Sequence, residues 1–356
     1  MATAAISHLI EPMKLRLGIL GTGTRGRCHL QTLQSDFANQ VEVAALGERR
    51  TAGVAQATEI VASVHIFEDE GELLRSDLDA VCVATPNFTH VPLALQMLKA
   101  GKHLLLETPC GITRAECHLL AKAAGRTDRV VMIANEGRHA PLFQQVKARV
   151  DAGEIGRPRM VWARQFVPFC KTSEDWMTDS RRSGGLLVAS SSPVFDLMNW
   201  WVGARPARVV AFGGRATSPA SNIENEVHDH ATVSFDYDNG TVGSLQICRF
   251  GRESRENDLE MGIVGDTGSL QIRHSDHQIL QWRQGDNTAG PTVHHLGEDA
   301  TGKLNHSAQL RGLHAAFLAA VRNGARPFPT VADSLDGALL AIAAEESLRH
   351  GHAVEV

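Results

Sequence analysis

The hexapeptide Gly21-Thr22-Gly23-Thr24-Arg25-Gly26 constrains this chain most, because of what lies on either side of it. The apolar run Leu15-Arg16-Leu17-Gly18-Ile19-Leu20 leads in, and a helical pattern through about Phe37 leads out. A second strand-like run, Val41 to Gly47, follows. A G-x-G-x-x-G spacing alone says little, since glycine is common in turns. Between a strand and a helix each glycine has its own part to play. Gly21 makes the tight turn, Gly23 admits a pyrophosphate to the backbone, and Gly26 lets helix pack on strand.

That unit predicts a dinucleotide site built from residues 21 to 26, with the phosphates on the helix N-terminus. Glu48 closes the second strand, where an acidic side chain accepts hydrogen bonds from the adenosine ribose, and this points to NAD. Arg49 and Arg50 keep NADP open, because a guanidinium at this place can pair with a 2′-phosphate.

The 356 residues are enough for about two domains. Hydrophobic residues at 43% and charged residues at 21% exclude disorder, collagen and coiled coil. The net charge of −5, with no basic excess in either half, speaks against a nucleic-acid partner. No run approaches the length of a membrane span, and Met1 to Pro12 lacks the features of a signal peptide. Six scattered cysteines without a C-x-x-C pair read as reduced thiols, so a cytoplasmic protein is expected.

Strand-like runs at Ala80 to Ala84, His103 to Leu106 and Val130 to Ala134 alternate with amphipathic segments at Val91 to Ala100 and Arg114 to Ala124. This predicts an α/β, doubly wound parallel sheet. After about Glu136 and a helix near Pro141 to Asp151 the texture changes. Strands at Arg159 to Val167, Ala207 to Gly213, His228 to Tyr237, Thr241 to Phe250 and Glu260 to Val264, with a D-N-G turn at Asp238 to Gly240, predict a mostly antiparallel sheet. Helices at Asn305 to Asn323 and Val331 to His350 close the chain. The expected division is an extension over 1–13, a Rossmann domain over 14–136 and an α+β substrate-binding and oligomerisation domain over 137–356.

The segments Ala84-Thr85-Pro86-Asn87 to His90, Leu104 to Pro109 and Asp151 to Gly156 resemble the Gfo/Idh/MocA family of nicotinamide-dependent sugar and cyclitol oxidoreductases. Ser183 to Leu187, Phe195 to Trp201 and Ala343 to Ser347 extend the resemblance over nearly everything after Lys14. It implies that Pro86 and Asn87, with Thr85 and His90 in the same segment, line the nicotinamide side of the cofactor. Glu107, next to Thr108, would reach the nicotinamide ribose.

The resemblance also implies a lysine in an E-K-P turn, and an acid and a histidine four residues apart on a helix after the Gly-Gly pair. Here those positions hold Thr108, Ala189 and Pro193. Oxidising an alcohol releases a proton as well as a hydride, and loss of a general base commonly costs about 10²- to 10⁴-fold in rate. Candidates for the vacant role are His139 at the domain junction, Asp196 and Lys171. A proline at 193 is expected to kink the helix unless it lies in a first turn. His228 and His230, two apart on a predicted strand, would need a third ligand to hold a metal, and none is assigned. Cys110 reads as an inert thiol.

Three readings stay open on the sequence. The first is an oxidoreductase acting on a carbohydrate-like hydroxyl or ketone, and the second an NAD-assisted lyase, glycosidase or epimerase without net redox. The third is an inactive nucleotide-binding sensor or partner protein. A homo-oligomer, dimer or tetramer, is expected.

Overall fold

The computed structural model describes residues 13–48, 50–61, 64–67, 72, 75–166, 175–216, 227–250, 258–273, 278–285, 290–295 and 306–356. The apolar runs of the first half form six parallel strands: β1 (Leu15–Leu20), β2 (Val41–Gly47), β3 (His65–Phe67), β4 (Ala80–Val83), β5 (His103–Leu106) and β6 (Val131–Ile133). Their order is β3-β2-β1-β4-β5-β6. They are apolar on both faces because both are covered: Leu17, Ile19, Val81, Cys82, Leu104 and Leu105 are all fully buried. The order reverses between β1 and β4, and open sheets of this kind bind ligands at the carboxyl ends of the strands beside that reversal. Residues following β1, β4 and β5, namely 21–26, 84–87 and 107–109, meet there.

Helices α1 (Thr24–Asp36), α2 (Thr51–Thr58), α3 (His90–Lys99), α4 (Arg114–Ala124) and α5 (Pro141–Asp151) accompany this sheet and the crossing out of it. Among the described residues the second sheet has nine strands: β7 (Pro158–Phe166), β8 (Pro206–Gly214), β9 (His230–Tyr237), β10 (Val242–Cys248), β11 (Asp258–Gly265), β12 (Gly268–Arg273), β13 (Gln278–Arg283), β14 (Thr292–His295) and β15 (Val354–Glu355). They run in the order β14-β13-β12-β11-β7-β10-β9-β8-β15, and among the described residues only the β7–β10 pair is parallel.

One face of this sheet is buried under α6 (Leu186–Val202) and α8 (Val331–His350), as the alternation in β9 shows: Ala231, Val233, Phe235 and Tyr237 are buried while Thr232 and Ser234 are exposed. The opposite face carries exposed residues among those described. Val242 and Val264 flank Met160 across β10-β7-β11, and all three are exposed.

Three features depart from the sequence reading. The strands β12 to β14 extend the sheet beyond the predicted set. Pro193 lies eighth in α6, well past the first turn, and the helix continues through it. Helix α7 (His306–Asn323) does not stay with the second sheet: Leu310, Leu313 and Phe317 pack with Leu30, Leu33 and Phe37 of the nucleotide half. The returning chain also bridges β6, with the Ile133 N–H donating to the Pro329 carbonyl at 3.1 Å.

Because Phe317 is fully buried against α1, Phe317→Ala is expected to destabilise the protein by about 3–5 kcal/mol. Urea denaturation measures this, and a loss under about 1 kcal/mol would mean that α7 is not docked as described.

Candidate functional site

Gly21 takes φ +84°, and a Cβ there would stand 2.5 Å from the Ala84 carbonyl oxygen. One on Gly26 would stand 1.9 Å from the oxygen of Gly21. Any side chain at either place would force strand and helix apart. Gly23 caps α1 with no side-chain hydrogen bond, and the first turn of the helix carries no acid. The leading N–H groups and the positive end of the helix dipole therefore face outward for an anion, with Thr24 exposed beside them. This cradle fits the pyrophosphate of a dinucleotide.

The other side chains of the turn point inward. The Thr22 N–H and hydroxyl both donate to Glu48 Oε2, at 3.0 and 2.7 Å. Arg25 reaches across the strand ends, its Nε donating to Glu107 Oε1 at 2.8 Å and its Nη2 to Glu136 Oε2 at 2.6 Å. Glu107 Oε1 is also 2.9 Å from His29 Nε2, and His29 Nδ1 is 2.9 Å from Nε2 of His314 on α7. His29 and His314 are completely buried. Oε2 of Glu107 takes the Thr108 N–H at 3.1 Å and retains lone-pair capacity for a ribose hydroxyl.

Asn87 crosses to the second half of the chain, its Nδ2 donating to the Ser183 carbonyl at 2.8 Å. The turn after β4 is thereby fixed against the segment that leads through the Gly184-Gly185 pair into α6. Thr85 accepts from the Thr89 hydroxyl at 2.7 Å. His90 is buried with its ring nitrogens 2.8 Å from the carbonyl oxygens of Pro109 and Thr85, so it ties two turns together and presents nothing to a cofactor.

On α6, Ala189 and Pro193 are partly exposed with Ser190, while Asp196, on the same stripe, is buried. Asp196 is held in a bidentate pair by Arg138, at 2.7 and 2.9 Å, and Arg138 also donates to the Asp333 carbonyl. A cavity of about 10 Å³ beside Thr108 is lined by Cys110, Asn135, Ser192 and Ser334 among others. Asn135 Oδ1 and the Ser192 hydroxyl are buried there without a protein partner.

Three comparisons with known proteins agree with this geometry. Residues 15–135 match the oxidoreductase family GFO_IDH_MocA, NAD-binding Rossmann fold, and residues 147–356 match its C-terminal alpha/beta domain. The chain belongs to the Gfo/Idh/MocA oxidoreductase family. It is 24% identical over 350 residues to scyllo-inositol 2-dehydrogenase (NAD(+)) of Bacillus subtilis, covering 96% of each chain. It is 32% identical over 295 residues to an inositol 2-dehydrogenase of Salmonella paratyphi B, covering 76% of this chain and 81% of that one. A levoglucosan dehydrogenase solved with NADH superposes with a TM-score of 0.86 at 21% identity, over 97% of this chain and 99% of that one.

NAD is thus the family's cofactor, and the structure sorts the residues expected to meet it. Gly21, Gly23, Gly26, Thr24, Pro86, Asn87 and Glu107 stand at the strand ends, whereas Thr22, Arg25, Glu48 and His90 act on the protein's own backbone and side chains. Arg49 and Lys171 lie outside the described residues. Asp196 is corrected as a catalytic candidate, since a buried carboxylate with both oxygens on one guanidinium cannot reach a substrate. His139 is 3.1 Å through Nε2 from the Phe328 carbonyl, packs on α7 at Gly312, and has its pKa lowered by burial. Its ring is committed to the returning chain.

His228 is not within β9 and lies 3.8 Å from Glu345, while His230 contacts Asp229. No group of three metal-ligating side chains occurs among the described residues. Cys110 is buried beside Cys117, whose thiol is pushed up by that contact and by burial. The sequence reading missed His29 and His314. His29 lies four residues after Arg25 on α1, a spacing that places both on one helix face.

Burial opposes charge on His29, but the Cys82 sulfur and the Glu107 carboxylate outweigh it and raise its pKa to about 10. His314 moves the other way, lowered by burial and by the charge on His29. His29 Nδ1–H therefore donates to a neutral His314. Against the cost of burial, Arg25 and then His29 hold Glu107 below the usual carboxylate range. A histidine whose folded pKa exceeds its unfolded value contributes stability that is fully present below about pH 6.5 and is lost as pH rises through about 10. Urea midpoints measured from pH 6 to 10 are expected to fall more steeply for the wild type than for His29→Gln; parallel curves would remove the charge from His29.

Proposed function

We propose that this chain is an NAD(H)-dependent dehydrogenase acting on a hydroxyl or ketone of a small cyclitol or sugar, with a non-standard acid-base site. The Asn87–Ser183 hydrogen bond carries the reading, because it joins the nicotinamide-side turn to the start of the helix that forms the substrate wall. The names of the relatives, inositol and levoglucosan dehydrogenases, supply the substrate class.

Bound nicotinamide supplies hydride transfer. Glu107 Oε2 takes a ribose hydroxyl, Arg25 and His29 keep that carboxylate ionised and aimed, and Ala189, Ser190 and Pro193 form the wall opposite. Thr108 and Ser190 contribute hydroxyls, which hydrogen-bond but do not titrate near neutrality. Turnover is accordingly expected to be slow. Protein at substrate-level concentration, with NAD and a panel of cyclitols and sugars, should form reduced nicotinamide. Thr108→Lys, which returns an ammonium to the turn, should raise the rate at least about tenfold. An unchanged rate in that variant would show that the proton is handled elsewhere.

The partly exposed stripe Ala189, Ser190 and Pro193 offers no ionisable group, and this favours a second reading, a nucleotide-binding sensor without turnover. NAD binding with no hydride transfer to or from any of the panel would select it; turnover without accumulated reduced nicotinamide would select the non-redox reading. The open face around Met160, Val242 and Val264 is the proposed homo-oligomer contact. A dimer or tetramer by solution mass, dissociated by Met160→Asp, is expected, and a monomeric wild type would remove it.

A further inference from the structure

We propose that the cavity beside Thr108 is a binding site for a single water, and that in the dehydrogenase this water and the Thr108 hydroxyl form the exit for the alcohol proton. The water site stands on the geometry of the chain alone, whereas its part in proton transfer rests on the function proposed above.

The cavity, of about 10 Å³, has room for one water and no more. It lies where four segments converge, with Thr108 after β5, Asn135 after β6, Ser192 on α6 and Ser334 on α8. Each of them brings a polar side chain. Asn135 Nδ2 donates to the Ser334 hydroxyl at 2.9 Å, which leaves Oδ1 as the other end of the amide. Asn135 and Ser192 are each 5% exposed, and neither Oδ1 nor the Ser192 hydroxyl has a partner among the described residues. In a dry cavity both atoms would be stripped of water with nothing in exchange, which is unfavourable for any buried polar group. One water donates to Asn135 Oδ1, shares a hydrogen bond with Ser192 and keeps another for Thr108, the roughly three partners usual for a buried water. No charged side chain lines the space, so a neutral occupant fits it and a cation does not.

The surrounding elements are held by other contacts and do not close on the cavity. The Ile133 N–H ties β6 to the Pro329 carbonyl just before α8, and the Arg138–Asp196 pair fixes α6. A Cβ on Gly337 would stand 2.9 Å from Asp196 Cα, so α6 and α8 already meet backbone to backbone about one turn from Ser192 and Ser334. Thr108 connects this space to the cofactor side. It is partly exposed, and its N–H donates to Glu107 Oε2 at 3.1 Å. In the oxidation the carbinol C–H bond breaks with its electron pair leaving as hydride to the nicotinamide, and the carbonyl forms as the O–H bond breaks. The released proton passes to Thr108 Oγ while Thr108 gives its own proton to the water, which hands one on to solvent. No group in this path has to titrate near neutrality.

A high-resolution crystal structure should show one water within hydrogen-bond distance of both Asn135 Oδ1 and Ser192 Oγ. A dry cavity, or a Ser192 hydroxyl turned onto a carbonyl of its own helix, would overturn the site. Urea midpoints read the same question independently. Ser192→Ala should unfold at lower urea than Ser190→Ala, the same change at a partly exposed position of the same helix, because only the first takes a partner from the bound water. A midpoint at or above that of Ser190→Ala would show that the Ser192 hydroxyl had no partner to lose. For the proton path, turnover of a cyclitol with NAD should show a solvent deuterium isotope effect on kcat. Ser192→Ala should lower kcat about tenfold and shrink that effect, with KM and NAD affinity unchanged. A kcat and isotope effect that Ser192→Ala leaves intact would overturn the proton path. Absence of hydride transfer in the wild type would overturn the dehydrogenase reading and the proton path with it, while the crystal structure and the urea midpoints still decide the water site.

Discussion

The placement of the site depends on one buried charge pair, Arg138 with Asp196. Arg138 follows β6, Asp196 lies on α6, and the Asp333 carbonyl on α8 takes a further guanidinium N–H. The guanidinium lies 5.6 Å from the Trp200 ring centre and 5.3 Å from that of Phe328. Such a pair contributes little net stability, because desolvation of the two ions offsets their attraction. Its effect is positional, since separating the two ions would leave a bare charge in the interior. Helix α6 is thereby fixed in azimuth, with Ser192 beside Thr108 and Asn135.

Two glutamates at the ends of parallel strands show how surroundings, not residue type, assign a role. Glu48 and Glu107 are both buried and both ionised by neighbouring donors. The lone pairs of Glu48 are taken by Thr22 of the Gly-rich turn and by Arg50, two residues ahead, so it braces the Gly-rich loop. Glu107 is supported mainly at one oxygen, by Arg25 and His29 from α1, and the other is left with capacity. The chain of contacts Glu136–Arg25–Glu107–His29–His314 also links stretches of sequence that lie far apart. Because α7 supplies His314, the segment that returns from the second sheet completes the environment of the Glu107 carboxylate.

The sequence made the first sheet legible because both-faces-buried strands read as apolar runs and the glycine turn states its own geometry. Helices over Arg114–Ala124, Pro141–Asp151 and Val331–His350 were equally clear, with a Thr113 cap, a leading proline and a Thr330–Asp333 capping box at their starts. β13 and β14 were not, since Gln278–Arg283 and Thr292–His295 alternate too weakly to announce a buried face. Side-chain direction was least legible. The spacing that placed Glu48 at a ribose did not reveal that its longer side chain folds back onto Thr22. Nor did any local pattern show that His139 meets Phe328, a residue 189 positions away.

Pro193 and Thr108 show what such a site gives up and what it keeps. A proline inside α6 leaves the Ala189 carbonyl without its helical N–H donor and fills part of the wall with an apolar ring. Thr108 and Ser192 put hydroxyls around one small cavity, and these stabilise charge by hydrogen bonding without changing protonation state. A pocket of this composition stabilises a developing alkoxide by donation, yet has no group of its own that stores the proton. In the dehydrogenase proposed above, the proton released from the oxidised hydroxyl would pass to water, directly or relayed through a neighbouring hydroxyl of the polyol. On the function proposed above, a complete cofactor half and a depleted acid-base half would be compatible in one mechanism, provided the ligand is itself rich in exchangeable protons.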